Sequence, residues 1–330
     1  MTDPTTSASA PQPIVGEALV ARAAAVRDEV AKAFIGQDDV LEQILIVLLA
    51  GGHVLIEGVP GLGKTLLVRA LGQALGCGHG RVQFTPDLMP SDVCGHAVYD
   101  PKTERFAIRR GPIFTNLLLA DEINRAPAKT QSALLEAMQE QQVTIEGTSH
   151  PLPAPFMTLA TQNPVEQEGT YPLPEAQLDR FIMKVLIGYP NRESECEIVT
   201  RASAEKPGGF SDAVPVICGP AEIVAAQQAT AAVHVVPEVV AYAVAIAQAT
   251  RESKAISLGA GTRGAISLVR IGKAYAVLEG RGYVTPDDIK HAALPVLRHR
   301  VQLTPEVAIS GQEVDEVLRG IVESVPAPRG

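Results

Sequence analysis

The first phrase with evident chemistry is Gly58-Val-Pro-Gly-Leu-Gly-Lys64-Thr65, a GxxxxGK[ST] pattern that follows an apolar run and precedes a helical one. Glycines at those positions let backbone N–H groups converge on phosphate oxygens, and the helix start adds positive potential. Lys64 is placed to reach β- and γ-phosphates, and the Thr65 hydroxyl to ligate Mg²⁺. Gly58, Val59, Pro60, Gly61, Leu62, Gly63, Lys64, Thr65 and Leu66 form the candidate nucleotide-binding loop and its first helical turn. The ligand this implies is a nucleoside triphosphate with Mg²⁺, which is ATP if the chain is no GTPase.

Leu117-Leu-Leu-Ala-Asp121-Glu122 is an apolar strand that ends in two acids. Neighbouring strand residues point to opposite faces, so the pair can divide its work. Asp121 would orient the metal and its waters, and Glu122 would act as general base toward the attacking water. The second acid speaks for hydrolysis over passive nucleotide storage. Asn163, in Ala-Thr-Gln-Asn-Pro, follows a third apolar run and can hold the lytic water or touch the γ-phosphate. Asn before Pro is equally a turn-former. Arg180, in Leu178-Asp-Arg-Phe181, offers a planar permanent cation suited to a transferring phosphoryl; a surface pair with Asp179 is the plainer reading. Arg263 opens a helix, where the dipole disfavours a cation, so an anion is expected nearby, either phosphate or a loop carboxylate.

The elements that must position these groups are legible around them. Helices are expected over Ile14 to Ala33 and from Asp38 or Asp39 as cap to about Leu49. Strands are expected over His53–Glu57, Leu117–Ala120, Phe156–Ala160 and Ile182–Ile187, with a helix from Lys64 to Leu75. This alternation implies an α/β fold, a P-loop NTPase parallel sheet with helices on both faces. After Tyr189-Pro190 the pattern turns helical and Ala-rich over Glu193–Ala204, Ala221–Ala232, Pro237–Glu252, Gly264–Glu279 and Pro286–His299. Thr285-Pro-Asp-Asp288 reads as a capping box. The expected division is a disordered tail over 1–13, an α/β core over 14–189 and a smaller all-helical domain over 190–330, with a loop over 206–220.

Composition narrows the classes. With 330 residues, 46% hydrophobic, the chain can bury a sizeable core. Its formal charge is -9 and no basic stripe appears, which speaks against a duplex-DNA binder and leaves a motor directed at nucleic acid in a central pore as the lesser alternative. Cys77, Cys94, Cys196 and Cys218 are scattered, so small buried thiols in a reduced, cytoplasmic setting are expected rather than disulfides or zinc. The apolar stretch Ile44–Ile56 is broken by Gly51, Gly52 and His53 and is too short to span a bilayer. No guanine-reading Asn/Thr-Lys-x-Asp motif follows the strands.

Taken in order, these motifs resemble an AAA+ ATPase: Walker A at 58–65, Walker B at 117–122, sensor 1 at Asn163, arginine finger at Arg180 and sensor 2 at Arg263. Finer phrases resemble the MoxR family of the helix-2-insert clade: Phe34-Ile-Gly-Gln37, Gln83-Phe-Thr-Pro-Asp-Leu-Met-Pro-Ser-Asp92, Ala120-Asp-Glu-Ile-Asn-Arg-Ala-Pro127, Glu175-Ala-Gln-Leu-Asp-Arg-Phe181 and Leu297-Arg-His-Arg300. The resemblance implies an AAA+ core with a helical lid, a ring that is usually a homo-hexamer, and Arg180 acting on the neighbour's site. It places Ile35 and Gly36 at the adenine pocket and makes Ser91–Gly111 and the hairpin Val143–Pro155 pore-facing insertions. It further implies chaperone-like remodelling of protein clients with a von Willebrand A-domain partner. One departure is Gly-Ala-Gly-Thr-Arg263, where the family commonly has Gly-Ala-Ser-Pro-Arg, which leaves open whose site Arg263 serves.

Overall fold

The computed structural model describes residues 16–59, 61–163, 170–204 and 214–328. The tail expected over 1–13, Pro60 and most of the expected loop over 206–220 lie outside the described residues.

Helices α1 (Glu17–Ala33) and α2 (Asp38–Leu49) lead into β1 (Val54–Glu57), α3 (Lys64–Ala74) and β2 (His79–Gln83). An excursion follows, built from α4 (Pro90–Cys94), β3 (Gly95–Asp100) and β4 (Arg105–Arg110). The chain returns through β5 (Leu117–Asp121), α5 (Ala128–Glu140), the hairpin β6 (Gln142–Ile145) and β7 (Thr148–Pro151), then β8 (Met157–Gln162), α6 (Glu175–Leu178) and β9 (Met183–Leu186). The remainder comprises α7 (Arg192–Ala204), α8 (Pro220–Ala231), α9 (Pro237–Glu252), β10 (Ile256–Leu258), α10 (Thr262–Leu278), α11 (Pro286–Leu297), β11 (Gln302–Leu303), α12 (Pro305–Ile309) and α13 (Val314–Ser324).

The main sheet runs β2-β5-β8-β1-β9 with every pairing parallel. Parallel pairing brings the carboxyl ends of β1, β5 and β8 to one edge, so the loops bearing Gly58, Asp121 and Asn163 open on the same side. The chain leaves β1 for the far edge at β2, which makes the β1 exit a crevice of the kind ligands occupy in open α/β sheets.

Both faces of the central strands β5, β8 and β1 are buried, which explains their near-continuous apolar runs. Val54, Ile56, Leu117, Leu119, Met157 and Leu159 enter one apolar cluster, and Leu55, Leu118, Ala120 and Ala160 enter the other. The first cluster does not stop at the sheet. It continues through α1 and α2 into α8, α9, α10, α11 and α13, where Leu268, Ile271, Ala292, Val296 and Leu318 are fully buried.

Several details differ from expectation, and helices α5, α12 and α13 stand where no helix was expected. Gln37 occupies the N-cap of α2, with Asp38 and Asp39 inside the first turn, where the dipole favours acids without needing a side-chain cap. The C-terminal part carries a short antiparallel ribbon, β10 with β11, among its helices. Strand β2 is an edge strand whose residues are mostly exposed, so no apolar run announces it. The capping box of α11 is present: Thr285 N–H donates to Asp288 at 2.7 Å.

Candidate functional site

The phosphate loop takes its shape from glycines in the left-handed region, Gly61 at φ 85° and Gly63 at φ 77°, a conformation that side chains resist. Gly58 is needed for a different reason. A Cβ there would lie 2.3 Å from Ile187 Cγ2 and 2.4 Å from its carbonyl oxygen, so the strand exit of β9 presses directly on the loop. Lys64, the first residue of α3, donates from Nζ to the Gly58 carbonyl at 2.8 Å and so arches back over the loop. Burial lowers its pKa, while the negative charges of Asp121 and Glu122 act the other way.

A cavity of about 250 Å³ is lined by Gly58, Gly61, Leu62, Gly63, Lys64 and Thr65 from the loop and by Asp121, Glu122 and Asn163 from the ends of β5 and β8. Here the two acids part company. Asp121 Oδ1 accepts from the Thr161 hydroxyl at 2.6 Å, and Oδ2 accepts from Arg81 Nη2 at 2.6 Å. Glu122 sits at φ 55°, unusual for a residue with a side chain, and its N–H donates to the same Thr161 oxygen at 2.8 Å. Its carboxylate accepts from Arg125 at 3.1 Å. One buried hydroxyl therefore holds both the Asp121 carboxylate and the backbone of Glu122.

Beside this lies a larger apolar recess of about 830 Å³ lined by Phe34, Ile35, Leu62, Leu66, Tyr189, Pro190 and one side of α7, including Ile198 and Val199. Gly61, Leu62 and Gly63 line both spaces, so the two lie side by side on the same loop. Gly36 is at φ 74°, and a Cβ on it would lie 2.5 Å from the Ser194 side chain, which shows how closely α7 meets the Phe34–Gln37 turn. Gln37 Nε2 donates to the Gly188 carbonyl at 2.7 Å and stitches that turn to the chain entering α7. Val59 lies in the loop without lining either space, and Pro60 is outside the described residues.

Arg180 and Arg263 lie elsewhere. Arg180 Nη1 donates to the Leu135 carbonyl at 2.6 Å, and neither arginine lines the phosphate cavity of its own chain. The expected surface pair of Asp179 with Arg180 does not form. Asp179 instead meets Arg300 at 2.7 Å and Arg263 at 3.7 Å, which supplies the loop carboxylate as Arg263's anion. Arg300, buried, also donates to the carbonyls of Phe181, Ile182 and Val296 and to Ser267 Oγ. The cysteines are free: burial raises Cys77 to about 12 and Cys94 and Cys218 to about 11. Cys196 departs from the buried expectation, being exposed on α7 at the apolar recess.

Arg81, Thr161 and Arg125 join the site without a signal of their own in the sequence: Thr161 stands two residues before Asn163, Arg125 three after Glu122, and Arg81 two before Gln83 on a mostly exposed edge strand.

Comparison with known proteins decides the lineage of this arrangement. Residues 53–183 match the ATPase family associated with various cellular activities (AAA), and residues 248–321 match the AAA lid domain. Chaperone MoxR1 of Mycobacterium tuberculosis is 40% identical over 91% of this chain and 81% of its own length. Protein MoxR of Methylorubrum extorquens is 31% identical over 93% and 95%. The chain belongs to the MoxR family of AAA+ ATPases. YeaC of Bacillus subtilis, an uncharacterized protein, is 43% identical over 96% of this MoxR-family chain and 95% of its own. A crystal structure of a candidate ATPase from Cytophaga hutchinsonii superposes with a TM-score of 0.87 at 42% identity, covering 94% of this chain and 96% of that one.

The residues present suit a magnesium nucleotide. Among the described residues no group of three or more His, Cys, Asp or Glu could cage a metal ion. Mg²⁺ is usually held by one or two carboxylates with waters and substrate phosphates, and one carboxylate (Asp121) and one hydroxyl (Thr65) in a cavity walled by phosphate-binding amides match that mode.

Proposed function

We propose that this chain is a Mg²⁺-dependent ATPase that works in a ring, a homo-hexamer, to remodel or mature protein clients in the cytoplasm alongside a von Willebrand A-domain partner. The observation that carries the enzymatic part is the single cavity shared by the Lys64 loop, Asp121, Glu122 and Asn163, with an apolar recess beside it on the same loop. The chaperone part rests on kinship with Chaperone MoxR1.

In this reading the amides of residues 61–65 and the Lys64 ammonium bind the β- and γ-phosphates. The base and ribose fill the recess between Ile35, Leu66 and α7. Thr65 and Asp121 hold Mg²⁺, which supplies neutralisation of phosphate charge. Thr161 fixes the backbone of Glu122, so the carboxylate stands ready to take a proton from water, and Asn163 orients that water. Arg180, outside its own cavity, serves the neighbouring subunit's γ-phosphate, and the 179–182 segment carries it there. We take the chain near Tyr189-Pro190 as the boundary between the ATPase core and the lid, with Arg263 contributing at the same subunit junction.

No helix among the described residues is long and apolar enough to cross a membrane, so a surface-bound or free protein is the setting to test. The decisive assay is phosphate release from ATP with and without Mg²⁺, in purified wild type and Lys64→Ala. Release that needs Mg²⁺ and is lost in Lys64→Ala supports the proposal; equal release by both proteins, or none from wild type with its partner present, defeats it. Mixing Arg180→Ala with Lys64→Ala tests the trans arrangement, because a junction pairing an intact phosphate loop with an intact Arg180 should regain turnover.

A further inference from the structure

Arg81 stands on β2, the edge strand, two residues before Gln83, so both side chains leave the strand on the same face. Register pairs Gln83 with Asp121 across the sheet, which carries Arg81's long side chain to the phosphate cavity, whose wall it forms with Lys64 and Thr65. Its Nη2 donates to Asp121 Oδ2 at 2.6 Å and to Gln83 Oε1 at 2.7 Å. The other Asp121 oxygen is held by Thr161 at 2.6 Å. Both oxygens of the carboxylate assigned to magnesium are thus engaged, one of them by a cation.

We propose that Arg81 is a positioning residue that stands in for the metal, holding Asp121 while the site lacks Mg²⁺ and yielding that oxygen when the metal nucleotide arrives. This rests on the nucleotide reading above. The physical case is competition for one oxygen. A guanidinium and a hydrated divalent cation are both drawn to Asp121 Oδ2, and their mutual repulsion prevents both from resting there. Lys64 has no such part, because its ammonium is tied to the Gly58 carbonyl, and Arg125 is turned to Glu122. The side chain of Arg81 is about half exposed, with relative SASA 49%, so it can swing off without unpacking the core. Metal and Arg81 are then linked: whatever strengthens one at Asp121 weakens the other by the same factor.

The consequence is a change in metal coupling. In wild type part of magnesium's benefit is spent displacing Arg81, so the ratio of nucleotide affinity in Mg²⁺ to that in EDTA is compressed. Removing the guanidinium should enlarge the ratio by about five-fold, the upper range for a partly exposed ion pair. The test is calorimetric titration of the imido analogue of ATP, in excess Mg²⁺ and in EDTA, into wild type, Arg81→Gln, Arg81→Ala and Arg81→Lys. A ratio that rises in Arg81→Gln and Arg81→Ala and stays near wild type in Arg81→Lys supports the proposal. An unchanged ratio with both affinities lowered together makes Arg81 an ordinary phosphate contact, and a smaller ratio makes it a helper of the metal; either overturns it. Wild type that binds the analogue in neither condition removes the nucleotide reading, a result distinct from an unchanged ratio in a protein that binds.

Discussion

Asp121 and Glu122 are adjacent acids with different neighbours, and the proposed division of their work rests on that difference. Asp121 is gripped at both oxygens, while Glu122 is turned by its positive φ toward Arg125. Glu122→Gln keeps shape and loses the basic oxygen, so nucleotide affinity should persist while phosphate release falls about 10²–10⁴-fold, the usual weight of a general base. Unimpaired release would place the base elsewhere. His53 offers a pH prediction at the same scale. Its Nδ1 accepts from Thr158 N–H at 3.0 Å, so the proton sits on Nε2, 3.0 Å from the Met138 carbonyl. Burial, which outweighs the Met138 carbonyl and is reinforced by Arg270, lowers its pKa from 6.5 to about 4. The neutral form belongs to the folded state, so its stability contribution is complete above 6.5 and lost as pH falls toward 4, by roughly 3 kcal/mol. Thermal melts between those pH values should show a steep acid limb that is shallower in His53→Gln. Legibility at this scale followed sequence proximity. The Lys64 loop, Asp121, Glu122 and Asn163 stand in contiguous phrases; the contacts of Arg81 and Thr161 exist only once β2, β5 and β8 lie side by side.

Among elements, β1, β5 and β8 were readable because both their faces are buried and apolar. Strand β2 was not, since an edge position leaves His79, Arg81 and Gln83 in solvent. Of the helices in the second half, α7 to α11 were legible through Ala-rich spacing, Pro237–Glu252 to the residue and α11 also through its capping box, while α12 and α13 were not. The short β10–β11 ribbon gave no signal because three and two residues are too few for a period. The Phe34–Gln37 turn and α7 together shape the apolar recess proposed to take the nucleoside, and their contact depends on Gly36. Gly36→Ala would place a methyl on the Ser194 side chain in a backbone conformation that alanine resists. The expected outcome is α7 displaced and nucleotide affinity weakened at least several-fold by calorimetry, with the double variant Gly36→Ala, Ser194→Gly recovering part of it. Affinity equal to wild type would show that α7 does not shape the recess.

Across the whole molecule the first apolar cluster runs without interruption from the sheet into α10, α11 and α13. Two regions that share an interior lose it together, so melting should be a single transition by circular dichroism and by calorimetry alike. A chain ended at Tyr189 should expose that interior and aggregate; a soluble, folded fragment with nucleotide affinity would argue for separate cores. The composition showed that a large core could be built, but not that both halves would share it, because which helix packs on which face is a property of the assembled chain.

Arg300 sits where those halves meet, gripping Asp179 and the carbonyls of Phe181 and Ile182 from the end of α11. With that clasp and a common interior, a subunit is poorly built to flex about its own waist. In the proposed ring, whatever stroke nucleotide turnover drives would have to appear as tilting of one stiff wedge against the next, with Arg180, adjoining the clasp, carried along with the wedge to which it is fastened.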